Sequence, residues 1–404
     1  MVRILRILLI LVVILCQQAC MFACPQDSMV HHEGDFFPMG RDFVEYCNRN
    51  SPVLIDIDND GFLELIYPYE YMGIGSVIAY DILDKKVLWN ITGRFSSATL
   101  CDLDGDGHDE LIIAGSAVID SNITSGVFSI DSSNGEILWH KHISDIYYEF
   151  STPAAYDVDL DGTSEIIVPG YEHIYIIDGR NGSTEYLVEG IGGIDFGVAV
   201  GDINRDGIPE IVFRDKNGNL CAVNIREESH ILWIAENIYL HTTPILADIN
   251  SDGLLEVLVR DDEGLKILDP ETGKIILHIP IHVFQPAVGD IDSDGHPEII
   301  AGETSGKYIV AISPNGQLLW KVSPDNTESY YISSPTLCDV DGDRDLDIII
   351  WKGRKTIAMD GASGRVLWET SNRRSSSRSP LVADIDLDGN LEVCNYLAFR
   401  SRDY

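Results

Sequence analysis

A nine-residue pattern, Asp-x-Asp-x-Asp-Gly-x-x-Glu, begins at Asp56 and returns at Asp102, Asp157, Asp202, Asp248, Asp290, Asp339 and Asp384. The steps between starts are 46, 55, 45, 46, 42, 49 and 45 residues. A period of this size restricts the chain to architectures in which each unit is one small supersecondary structure that buries its apolar face against its neighbours.

The pattern also carries chemistry. Asp102, Asp104, Asp106 and Glu110 bring carboxylates together within nine residues, and Gly107 provides a sharp turn between them. An oxygen-only, carboxylate-rich set of this kind suits a hard cation, Ca²⁺ before any transition metal. The other complete sets are Asp56, Asp58, Asp60 and Glu64; Asp157, Asp159, Asp161 and Glu165; Asp290, Asp292, Asp294 and Glu298; and Asp384, Asp386, Asp388 and Glu392. An EF-hand loop would have twelve residues and lead into a helix, whereas these loops lead into runs such as EIIV and EVLV, which are strand sequences. A plain Asp/Gly hairpin turn would account for one copy. It does not account for a closing carboxylate in all eight, and the expectation is Ca²⁺ at several loops, up to eight ions.

Three loops depart from the pattern. Asn204 stands with Asp202, Asp206 and Glu210, and Asn250 with Asp248, Asp252 and Glu256; an amide oxygen still coordinates but adds no charge. In the seventh copy Asp339, Asp341 and Asp343 are followed by Arg344 in place of the turn glycine and by Asp347 in place of the glutamate. A side chain that disfavours positive φ and carries a cation beside the site makes this the loop expected to bind least.

Between loops, each unit reads as four short strands. A proline (Pro52, Pro153, Pro244, Pro286, Pro335, Pro380) stands four residues before six of the eight motifs, a position tolerated at a strand's start. A second strand follows the loop, a third such as LKILD or TIAMD comes next, and after a Gly turn a fourth carries Trp89, Trp139, Tyr186, Trp233, Trp320 or Trp368. Four strands per repeat make a propeller blade. One aromatic per blade at a fixed place points to packing between blades rather than to sugar stacking. The expected fold is all-β: a single β-propeller of eight blades, with seven as the alternative, each of four antiparallel strands.

Over residues 51–398 the chain resembles two related propeller families. DIDNDGFLE, DLDGDGHDE and DVDLDGTSE look like the Ca²⁺ loops of FG-GAP or VCBS repeats, as in the integrin alpha-chain propeller, and IDSSNGEILW and MDGASGRVLW look like PQQ-like repeats. The resemblance implies the fold; these families include adhesins, scaffolds, sugar-binding proteins and some enzymes, so it implies no single activity.

Residues 1–24 combine Arg3 and Arg6 with the apolar run ILLILVVILC and a small-residue end, the form of a signal peptide; attachment through a retained anchor or a lipid on Cys24 are the alternatives. The remainder, 51–404, is the propeller, and 25–50 is an N-terminal segment that could complete the last blade, which has only two strands before Tyr404. That segment holds His31, His32, Glu33 and Asp35, read as a solvated stretch. Closure near Cys47 and Cys394 would allow a disulfide, which the closure does not require. The expected location is extracellular or on the cell surface, with no membrane span in the mature chain.

The net charge of −37 argues against nucleic acid as a partner. Thirty of the 65 acids sit at loop ligand positions, so eight Ca²⁺ would return 16 charges. The links from each fourth strand to the next blade lie on the face opposite the loops in a conventional ring, the usual ligand face. They carry Tyr147, Tyr148, Tyr239, His241, Phe284, Tyr330 and Tyr331, and a basic loop with Arg373, Arg374 and Arg378. The leading expectation is a monomeric binding module for a protein or glycan, with no catalysis. The alternatives are a carbohydrate-active enzyme such as a polysaccharide lyase, for which His241 and His282 would be candidates, and a scaffold of the cell envelope.

Overall fold

A computed structural model describes residues 51–394 apart from 72–73, 120–121, 144–151, 190–196, 227–230, 239, 241, 326–330 and 373–378. The described residues form strands, turns and bends with no helix. Residues 1–50 and 395–404, and with them the signal peptide, the histidine cluster and Cys47, lie outside the described residues.

Each repeat folds as an antiparallel meander. Blade 4 shows the plan: strands Ala199–Gly201, Glu210–Arg214, Leu220–Val223 and Ile231–Ala235 pair in sequence order. Blades 3, 5, 6 and 7 repeat it over residues 154–189, 245–279, 287–322 and 336–371. The prolines stand one residue ahead of the first strands, as at Pro244 before Ile245–Ala247, where a missing N–H costs no ladder bond. First strands of successive blades lie side by side, which sets them around the axis. The fourth strands are outermost, and their edges expose Ile231, Ile276 and Leu318.

Blades 1 and 2 depart from the plan in a way the repeat does not foretell. Lys86–Cys101 is one strand of 16 residues that serves as the outer strand of blade 1 and the inner strand of blade 2, joining both into a seven-stranded sheet. Its register shifts between Phe95 and Ala98, where the chain turns from one blade to the next. Blade 2 also has a longer hairpin, Glu110–Ile119 with Asn122–Asp131, against four to six residues per strand in blades 3 to 7. That hairpin absorbs the 55-residue step.

The core is a series of slabs between blades. Strand faces rich in Ile, Val and Leu pack blade on blade: Ile112 and Val127 with Ile166 and Val168 between blades 2 and 3, Ile300 and Ile309 with Ile348 and Ile350 between blades 6 and 7. Each such fully buried side chain contributes about 1.5–3 kcal/mol from apolar burial. The tryptophans add a directional contact. Trp89 donates its indole N–H to Ser132 O, Trp139 to Gly179 O, Trp233 to Pro270 O and Trp320 to Gly361 O, at 2.7 to 3.0 Å, in every case a carbonyl of the next blade. The expectation of packing between blades is met.

Blade 8 consists, among the described residues, of Leu381–Ala383 and Glu392–Cys394. It packs on blade 7 through Val382, and Leu391 and Val393 join the same cluster. On its other side the Leu63 N–H donates to Ile385 O at 3.1 Å, linking the loop of blade 8 to the loop of blade 1. The ring therefore closes around eight repeats, the last contributing two described strands. The Cys394 thiol is free.

Candidate functional site: a ring of acidic loops

In every loop the second residue turns its backbone N–H back onto the closing carboxylate. Ile57 donates to Glu64, Leu103 to Glu110, Val158 to Glu165, Ile203 to Glu210, Ile249 to Glu256, Ile291 to Glu298, Val340 to Asp347 and Ile385 to Glu392, at 2.7 to 3.1 Å. The closing acid opens the second strand, so the sheet fixes it beneath the loop. The first Asp accepts from the backbone of the sixth residue, as Gly162 N–H to Asp157 at 3.0 Å, and the fifth accepts from the seventh, as Thr163 N–H to Asp161 at 2.8 Å. These bonds curl the backbone so that side-chain oxygens converge.

Convergence is tight in at least five loops. Oxygens of Asp56, Asp58 and Glu64 lie within 4.8 Å of one another, as do those of Asp102, Asp104 and Glu110, of Asp157, Asp159, Asp161 and Glu165, of Asp290, Asp292 and Asp294, and of Asp339, Asp341 and Asp347. The fifth-position acids Asp60 and Asp106 stand outside these groups. Asp157, Asp248 and Asp384 each keep one buried oxygen with no hydrogen-bond partner. A buried carboxylate oxygen left unpaired is costly, and a cation at the centre of the loop would satisfy it. The donor set fits an oxygen-seeking divalent ion.

The electrostatics agree. Burial, then repulsion from loop acids, pushes the carboxyl of Glu165 up to about 8, and burial does the same to Glu64, Glu110, Glu210, Glu298 and Asp347, to about 7. Without a counter-ion the loops hold protons that ordinary carboxylates would release.

The departures are resolved residue by residue. Asn250 points its amide nitrogen at Glu256 Oε1, 2.8 Å away, and Asn204 donates to Asp206 at 3.1 Å. In these two loops an amide proton takes up acid charge that elsewhere faces only other acids. Arg344 marks the seventh loop as the one expected to bind least, and the loop nonetheless keeps its shape: φ is 82° at Arg344 against 96° at Gly162, its N–H still bonds Asp339 at 3.0 Å, and Asp347 still accepts from Val340. The guanidinium is exposed and makes no ion pair with a described carboxylate. The substitution is accommodated as backbone strain.

The loops also touch one another. The fourth residue of each loop has positive φ, from 55° at Ser293 to 79° at Gly342. This aims several of them at the following loop. Asn59 reaches His108 at 3.4 Å, Arg205 donates to Asp252 O at 3.2 Å, Ser251 meets His296 at 2.9 Å and Ser293 donates to Arg344 O at 3.4 Å. Leu387 of the eighth loop lies against Gly61 of the first, the place Arg205 takes over Gly253. Nothing in the sequence motif signals this chain of contacts, because the fourth position is variable.

On the opposite face, Tyr331 is 42% exposed and packs on Phe284 with ring centroids 4.6 Å apart and the planes tilted by 35°. The other link residues singled out by sequence, Tyr147, Tyr148, Tyr239, His241, Tyr330, Arg373, Arg374 and Arg378, lie outside the described residues.

Residues 157–213 and 290–350 match the family described as FG-GAP-like repeat. These two stretches carry FG-GAP-like repeats. Solved structures similar to this propeller include BamB from Moraxella catarrhalis, with 14% identity over 84% of this chain and 93% of that chain and a TM-score of 0.53. The quinohemoprotein alcohol dehydrogenase of Comamonas testosteroni shares 11% identity over 84% of this chain and 69% of its own, with a TM-score of 0.57. The computationally designed Ika8 protein shares 14% identity over 84% and 94%, with a TM-score of 0.54. Identities this low speak for the fold alone. No curated protein matches the chain.

Proposed function

We propose that this protein is an exported or surface-held propeller, stabilised by Ca²⁺ at its loops, that binds a protein or glycan on the opposite face and performs no chemistry. The observation that carries the reading is the contrast between the two ends of the ring. At one end eight loops repeat a single hydrogen-bond scheme, the regularity of a structural device. At the other, the hairpins differ in length from blade to blade and, among the described residues, Tyr171, Tyr331, Lys307 and Arg354 are exposed, the variation that recognition requires. The first, third and fifth residues and the closing acid of each loop would hold the ion, which supplies positive charge and no reactivity.

Export follows from the signal-like residues 1–24, and among the described residues no helix is long and apolar enough to cross a membrane. The test is a binding screen of glycans and surface proteins with Ca²⁺ and with chelator. Binding that needs Ca²⁺ and leaves the ligand chemically unchanged supports the reading; turnover of a bound glycan would replace it with the enzyme alternative.

A further inference from the structure

The face opposite the loops holds a cluster of cations between blades 6 and 7 that stands out in a chain of net charge −37. The sequence motif does not mark it. Lys352 ends the second strand of blade 7 and is fully buried, with its ammonium 2.7 Å from Asp325 Oδ1 and 3.4 Å from the backbone carbonyl of Lys307. It thereby ties the hairpin of blade 7 to the hairpin of blade 6. Lys355 reaches Asp325 at 3.4 Å and Glu369 at 2.9 Å, and Lys321 pairs with Glu303. The three described acids of the cluster, Glu303, Asp325 and Glu369, are thus each matched by a cation.

Two cations are left over. Lys307 and Arg354 are exposed at the tips of neighbouring hairpins, and neither makes an ion pair with a described residue. Lys307 is held instead over the ring of Tyr308, 5.1 Å from its centroid, with Lys321 at 4.5 Å from the same ring. Lys321, its charge met by Glu303, shares that ring, so Lys307 is held in place while its own charge stays unmatched among the described residues.

We propose that this cluster is a binding site for a linear anionic polysaccharide, its carboxylate or sulfate groups bridging Lys307 and Arg354. The inference rests on the binding-module reading and names its ligand class. A polysaccharide fits better than an acidic protein because the exposed ground around the two cations is polar: Thr304 and Ser305 are exposed beside Lys307, and no large apolar side chain is exposed in either hairpin. Protein interfaces centre on aromatic and aliphatic residues with charge at the rim. A hydrated polymer with repeating charges needs only cations and hydroxyls, and many weak contacts in place of one deep pocket.

The experiment uses the full chain in Ca²⁺, titrated with polygalacturonate (carboxylate), dextran sulfate (sulfate), neutral dextran and poly-glutamate, at low and at physiological salt. The expected result is binding to one or both anionic polysaccharides that weakens with salt, with no binding to neutral dextran. The double variant Lys307→Ala, Arg354→Ala should bind about tenfold more weakly, the loss of two surface charge contacts, while Lys307→Arg retains binding and Lys141→Ala in blade 2 changes nothing. The relative strength of the carboxylate and sulfate polymers identifies which anion the site takes. Unchanged binding by the double variant, at an unchanged melting temperature, overturns the site. Tighter binding of poly-glutamate than of either polysaccharide overturns the ligand class in favour of an acidic protein. A neutral glycan or protein ligand that binds wild type and double variant alike would leave the binding-module reading standing and remove this inference alone.

Discussion

Trp233 of blade 4 donates its indole N–H to Pro270 O of blade 5 at 2.7 Å while its ring lies on Gly273 of the same turn. Gly273 has φ of 66°, and a Cβ there would sit 2.5 Å from the indole. Both halves of the contact are therefore fixed, the donor by its carbonyl and the glycine by ring and backbone together. Trp233→Phe should cost about 1 kcal/mol through the lost hydrogen bond, and Gly273→Ala about 1–3 kcal/mol through overpacking and strain. Chemical denaturation checks both, and a Gly273→Ala protein as stable as wild type would count against the packing described.

Removing Ca²⁺ should lower the melting temperature by well over about 10 °C, because several sites lose their ligand at once. Equal melting curves in excess chelator and excess Ca²⁺ would remove the cation assignment.

The cation-free protein should also respond to pH in a direction opposite to ordinary acid denaturation. The Glu165 carboxyl is raised from 4.5 to about 8 in the folded state by burial first and neighbouring acids second. A raised carboxyl binds its proton more tightly folded than unfolded, so this contribution favours folding below about pH 4.5 and is lost as pH climbs from there to about 8. In chelator the melting temperature should fall between pH 6 and 8.5. With Ca²⁺ present the ion replaces the protons, so apparent Ca²⁺ affinity should rise over the same interval. Calorimetric titrations at the two pH values measure it.

Arg344→Gly should stabilise the protein by about 1 kcal/mol, since it relieves a positive-φ side chain without altering the loop's hydrogen bonds. A neutral or destabilising result in thermal denaturation would mean that the exposed guanidinium makes a contribution of its own.

Asn250→Asp should strengthen Ca²⁺ binding at the fifth loop by about 1–4 kcal/mol, from one further charge at ligand distance. The same change should destabilise the cation-free state, because Glu256 loses an amide donor and gains a repelling neighbour. Calcium titration and chelated melting curves should therefore move in opposite directions.

The sequence exposed what repeats and concealed what does not. Asp102 to Glu110 and its seven relatives were legible because a cation loop needs particular residues at particular spacings, and Trp89, Trp139, Trp233 and Trp320 because each fills the same socket. The 16-residue strand through Phe95 was not. The missing proline before Asp102 permits the continuous strand but does not signal it, because Asp202 lacks one too and blade 4 still opens with its own strand. The Lys307 and Arg354 cluster was hidden for another reason. Its members come from hairpin tips 45 residues and more apart, and only the stacking of blades brings them together.

The bond from Leu63 to Ile385 also bears on where the chain needs to begin. A linear stack of repeats has two ends, which fray first and require special caps. Here the loops run from the first to the eighth and back to the first, so among the described blades none is terminal by position. Opening the ring at the exposed turn Asp262–Glu263 should therefore cost no more than opening it at any other hairpin tip, since the blades on either side of the cut keep their neighbours around the same eight loops.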